Sequence, residues 1–246
     1  MFSFLNVPVA GAYHLVLALS NLLAPLLGAG STVAAIVGFT MLVRLLLHPL
    51  SRAAVRGERA RAVLAPQISA LREKHKRNPQ RLNEEIAKLQ RESGTSMFAG
   101  CLPMLLQAPF LSIMYRLFES ATISGKPNAL LSHSLFGATL NQHWLSVMQG
   151  AVPFVPTGLV FLGLFALLAC VATYTVRWQA AHVTATPDTP MPGGRLLRIL
   201  PYGTILFAAF LPLAAGIYLV TTNTWTATER AWLRRPQVTK KAEVVN

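Results

Sequence analysis

Acidic residues are scarce in this chain. Of its 246 residues only nine are Asp or Glu, and 13% carry a charge of either sign, against roughly 25% in a soluble domain. The nine are Glu58, Glu73, Glu84, Glu85, Glu92, Glu119, Asp188, Glu229 and Glu243. None falls well inside an apolar run; Glu119 stands at the edge of one and Glu229 follows another. Such a distribution offers no paired carboxylates for acid–base work and no intramembrane proton relay. Cysteine is nearly lacking as well. Cys101 and Cys170 sit in apolar runs without metal-ligand spacing, and they read as small hydrophobes rather than as a disulfide. The six histidines are scattered, with no zinc-binding pair at helical spacing and no phosphate-cradling glycine loop. Catalysis, a metal and a cofactor are therefore not expected.

What is abundant is apolar sequence, 53% of the chain, with a formal charge of +13. This composition is that of a membrane protein. Five stretches read as transmembrane helices, at 31–50, 97–118, 152–176, 198–211 and 212–229. The last two are short and meet at Pro212, which predicts a tight hairpin. Basic residues set the orientation. Segment 51–96 holds 11 Lys and Arg, segment 177–198 three and the tail from Arg230 five, whereas 1–27 holds none and 119–150 only Lys126. The positive-inside rule places the N-terminus and loop 119–151 outside, and loop 177–197 and the basic tail 230–246 inside. The expected fold is all-α, a five-span polytopic membrane protein. Residues 1–30 lack the basic start of a cleaved secretory signal. His14 and Asn21 share one helical face there, so a helix lying in the outer interface is favoured over a sixth span.

Arg44 lies within the first apolar run, where only His48 is otherwise ionisable. A cation at that depth costs about 2.5–3.5 kcal/mol on insertion scales, so it faces a wet or protein-lined interior or snorkels to the interface. With no carboxylate inside a span, its charge falls to water, backbone carbonyls, uncharged polar groups or an incoming molecule. Thr40 is one turn earlier on the same face. Gln107, inside the second run, bonds another helix or faces water, because a lone buried amide is costly.

Segment 51–96 is the one large polar piece. Leu64, Ile68 and Leu71 keep helical spacing, as do Leu82, Ile86 and Leu89. Asn78 suits an N-cap and Pro79 a first helical position, which predicts two helices in an antiparallel hairpin. Its basic faces, with Arg72, Lys74, Lys76, Arg77 and Arg81 around the turn, admit three readings: a solvated topology signal, a patch for anionic lipid, or a docking surface for a chain or for ribosomal RNA.

Thr40-x-x-x-Arg44 followed by Pro49-Leu50, the basic hairpin, and the run Gly100-Cys101-Leu102-Pro103-Met104-Leu105-Leu106-Gln107-Ala108-Pro109 together resemble the YidC/Oxa1/Alb3 family of membrane protein insertases. Pro212 to Gly216 with Tyr218 and Asn223 is similar to that family's last hairpin and span. The resemblance covers roughly residues 30–235. It implies a protein of a bacterial cytoplasmic membrane, with a five-helix core around a hydrophilic groove open to cytoplasm and lipid. The family's groove arginine then falls on Arg44, its neighbouring threonine on Thr40 and its glutamine on Gln107. Clients would slide along the second and fifth spans, at Leu111, Tyr218 and Leu219. Implied partners are small membrane proteins as clients, the Sec translocon, the ribosome and anionic lipids, with no DNA and a monomer sufficing. The competing readings are an anion-selective channel or small-solute transporter, and a scaffold that holds membrane subunits without inserting them.

Overall fold

The computed structural model describes residues 6–93, 102–151, 154–182 and 194–233. Nine helices occupy these residues: α1 (Asn6–Leu27), α2 (Ser31–Leu46), α3 (His48–Lys74), α4 (Pro79–Glu92), α5 (Leu102–Glu119), α6 (Trp144–Met148), α7 (Phe154–His182), α8 (Gly194–Ala208) and α9 (Leu213–Leu233). Between α5 and α6 run two small antiparallel hairpins, β1 (Thr122–Ile123) with β2 (Lys126–Pro127), and β3 (Ser134–Leu135) with β4 (Ala138–Thr139). The chain is thus mostly helical, as its composition predicts.

The hub is α9. Every residue from Leu213 to Leu219 is buried, because α2, α5, α7 and α8 all pack against this helix. One glycine permits the closest approach. A Cβ on Gly216 would stand 2.9 Å from Leu164 Cδ2, so α7 and α9 meet over a position that holds no side chain.

Residues 120–151 cap one end of the bundle and answer the backbone groups that helix ends leave unpaired. Asn128 Nδ2 donates to the Leu117 carbonyl at 2.6 Å and the Ser120 carbonyl at 3.0 Å, closing the last turn of α5. At the start of α9, Leu213 N–H donates to the Gln142 carbonyl at 2.8 Å and Ala214 N–H to the Leu140 carbonyl at 2.9 Å. The turn between α8 and α9 is held there. The N-terminal helix joins the same end. Ser20 Oγ lies 2.7 Å from Thr32 Oγ1, which lies 2.6 Å from His133 Nδ1, and Ala129 N–H donates to Tyr13 Oη at 3.4 Å. Val9, Ala12, Val16 and Ser20, at helical spacing, are the buried face of α1.

Among the described residues, two stretches are long and apolar enough to cross a bilayer, Asn6–Leu46 and Phe154–Ala180, and Ile199–Ala208 is a shorter apolar helix. Several boundaries differ from the sequence reading. The first run does not continue as one helix to Leu50; α2 ends at Leu46 and α3 begins at His48, with Pro49 in its first turn. Proline has no N–H for the preceding helix to use and its fixed φ suits a helix start, so the chain restarts there. The third apolar helix extends to His182, and α9 continues to Leu233. Residues 97–101, with the Gly100-Cys101 pair, and the tail beyond Leu233 lie outside the described residues.

Asn78 caps α4, its Oδ1 accepting from Arg81 N–H at 3.1 Å with Pro79 in the first turn. Leu64 is buried in α3, and Leu82, Ile86, Ala87 and Leu89 are half-buried positions of α4 amid exposed charge.

Candidate functional site: a polar seam between two apolar helices

Polar side chains recur along the contact between α2 and α9. On α9 they are Tyr218, Thr222, Trp225 and Glu229, spaced by four, three and four residues and so stacked on one face. On the other side stand Thr40, Arg44 and His48, four apart.

Arg44 is half-buried, and its Nε–H donates to Thr222 Oγ1 at 2.7 Å. The bond uses one of the five N–H donors of a planar guanidinium and thereby fixes its plane. Thr222 is itself fully buried. The hydroxyl of Tyr218 and the carboxylate of Glu229 lie within electrostatic reach of the cation. Two turns beyond Thr222, Glu229 meets His48, Oε1 to Nδ1 at 2.5 Å, with the carboxylate side chain only 8% exposed. The His48 ring also faces Trp232 at a centroid separation of 6.1 Å. Farther along, Arg59 donates to the Leu233 carbonyl at 2.6 Å, so α3 continues the line of contact with the end of α9. Trp225, on the same stripe, buries its indole Nε1 with no acceptor among the described residues.

The structure brings Arg44 and Thr40 to one side of this seam. Thr40 is buried and returns its hydroxyl to its own helix, donating to the Ile36 carbonyl at 2.7 Å. The side chain of Gln107 lies outside the described residues, although its backbone belongs to α5. Leu111 is half-buried on α5. Tyr218 and Leu219, read from sequence as a surface along which clients slide, are instead buried, at 4% and 5% exposure. The reason is that the first two turns of α9 are surrounded by helices on all sides. Arg72, Lys74, Lys76, Arg77 and Arg81 gather around the α3–α4 turn; all but the half-buried Arg72 are exposed, and Lys76 pairs with Glu73 at 2.9 Å.

Two participants escaped the sequence reading. Thr222 is one threonine among several, and Glu229 was placed after the last span. The four-three-four spacing of polar residues on α9 was the available signal. A carboxylate does therefore stand near the arginine, at the end of the seam and engaged by His48.

The chain also has clear relatives. The family profile described as 60Kd inner membrane protein matches residues 23–241. The membrane protein insertase YidC of Mycobacterium tuberculosis is 30% identical over 82% of this chain and 64% of its own length. That of Mycolicibacterium paratuberculosis is 32% identical over 74% of this chain and 60% of its own, and that of Streptomyces avermitilis 27% identical over 96% and 58%. The chain thus spans about three-fifths of the length of these curated relatives. An arginine held within an apolar helical bundle, in a chain matched over most of its length, leads to one assignment: this chain belongs to the 60Kd inner membrane protein family, the YidC/Oxa1/Alb3 family of membrane protein insertases.

Proposed function

We propose that this protein inserts small membrane proteins and assists their folding, with the α2–α9 seam as the polar element that receives the client. The carrying observation is Arg44, half-exposed among apolar helices and oriented by Thr222. A guanidinium in low-dielectric surroundings attracts an acidic or polar segment far more strongly than one in water. The client's hydrophobic segment partitions into lipid meanwhile, along α5 at Leu111, and no nucleotide is consumed. Thr40 and Gln107 border the arginine in this reading, and the buried indole N–H of Trp225 is a further donor on the same stripe.

In the proposed topology the bundle crosses the membrane five times, with α2, α5, α7, α8 and α9 as spans. The N-terminus and the 120–151 cap lie outside; α3, α4 and the tail lie in the cytoplasm. The count of basic residues supports this orientation. The contact of α1 with the cap at Tyr13, and the chain from Ser20 through Thr32 to His133, support a helix at the outer surface. The basic α3–α4 turn is the proposed first contact for clients, ribosome or anionic lipid, with the Sec translocon as a further partner. Family membership favours insertion over an anion channel. Reconstitution into liposomes tests the reading, scoring client insertion with and without Arg44.

A further inference from the structure

We infer that the β3–β4 hairpin is a lipid anchor, dipping its tip, Phe136, into the acyl chains of the leaflet next to the cap. The two hairpins of the cap make the comparison. Both turn on two residues with positive φ, Ser124 (52°) with Gly125 (77°) and Phe136 (48°) with Gly137 (87°). This is the mark of a type I′ turn, whose first position favours Asn, Asp or Gly and disfavours bulky side chains. The first hairpin places serine there, beside Lys126. The second places a phenylalanine against the local preference and leaves it 80% exposed. Neither core packing nor turn chemistry accounts for it.

Its surroundings do. A Cβ on Gly137 would lie 2.7 Å from Pro156 Cγ, so the tip rests directly on the first turn of α7. That turn begins a stretch long and apolar enough to cross a bilayer. The same end of α7 exposes Phe154 (50%), Val155 (65%) and Leu159 (55%). Phe136 therefore extends the outward apolar surface of a membrane-crossing helix, at the depth where that helix enters lipid. An amphipathic loop with its aromatic in hydrocarbon fits this position; a solvated one does not. The inference needs only that α7 crosses the membrane, and it stands apart from the insertase reading.

Collisional accessibility of nitroxides tests it in phosphatidylcholine–phosphatidylglycerol vesicles. Labels go on Phe136→Cys, Lys126→Cys and Leu159→Cys, each in a Cys101→Ser, Cys170→Ser background. Oxygen should outweigh a water-soluble nickel chelate severalfold at 136, as at 159, with the reverse at 126. A site 136 that tracks 126 overturns the anchor. So does a site reached by neither reagent, which would mean that a second copy or another protein covers the tip. Photoactivatable acyl chains provide the check on the unsubstituted chain. Lipid adducts should appear on the peptide containing Phe136 and not on the one containing Ser124; adducts along α7 alone overturn the inference.

Discussion

Arg44 and Thr222 are 178 positions apart, and their side chains meet at 2.7 Å. This bond joins the helix that carries the cation to the helix at the centre of the bundle. It gives the guanidinium a direction as well as a charge. Replacing Thr222 by valine keeps the volume and removes the acceptor. Because Arg44 is half-exposed and water replaces part of the loss, the cost should be about 1 kcal/mol, below the usual range for bonds to charged groups. Thermal unfolding in detergent should show a small downward shift. Insertion of acidic clients should fall further than stability does, since the cation remains but is no longer aimed.

Glu229 and His48 form the second tie of the seam. Glu229→Gln retains an acceptor of the same shape, and should change stability by less than about 1 kcal/mol. Glu229→Leu leaves His48 without its partner and should cost about 1–3 kcal/mol. A double-mutant cycle with His48→Ala measures the coupling. Residues in one hydrogen-bonded pair should couple by at least about 0.5 kcal/mol, whereas additive losses would mean the contact contributes nothing.

At Gly216 the prediction concerns packing. Glycine→alanine places a Cβ 2.9 Å from Leu164 Cδ2, and such overpacking costs about 1–3 kcal/mol. Leu164→Ala should make room, so the double variant should lose less than the two single losses added together. Full additivity would show that α7 and α9 do not meet at this point.

For Asn78 the effect is local. Asn78→Ala removes the acceptor for Arg81 N–H and should weaken α4 by about 1 kcal/mol. Because α4 packs chiefly on α3, hydrogen exchange of amides 79–92 is the proper readout. Exchange there should speed up severalfold while α9 stays unchanged.

These residues also show what sequence can reveal. Arg44 was legible because a cation within an apolar run is improbable unless something receives it. Asn78-Pro79 was legible because capping chemistry is local. Thr222 was not, since nothing in a single sequence pairs positions so far apart. Glu229 was misjudged for a related reason. The hydropathy fades near residue 229, but α9 keeps its helical course to Leu233 and carries the carboxylate back against His48. The family resemblance assigns Tyr218 and Leu219 to the surface along which clients slide, and their own sequence does not oppose it, because an apolar helix in a membrane protein has more than one apolar environment available. Periodicity does not distinguish neighbouring helices from lipid. The cap was the least legible part, since its strands are two residues long, too short for an alternating pattern to stand out in the sequence.

The proposed role of Arg44 is to draw the polar end of a client into the membrane. Its most direct test uses liposomes that contain only this protein, and two single-span clients that differ in an acidic or a neutral translocated tail. Protease protection measures insertion. Both clients should be protected above empty liposomes, and Arg44→Ala should cost the acidic client severalfold more insertion than the neutral one. Arg44→Lys should fall between, keeping the charge while losing the Nε bond to Thr222. Equal losses for the two clients, or no protection above the empty control, would contradict the account.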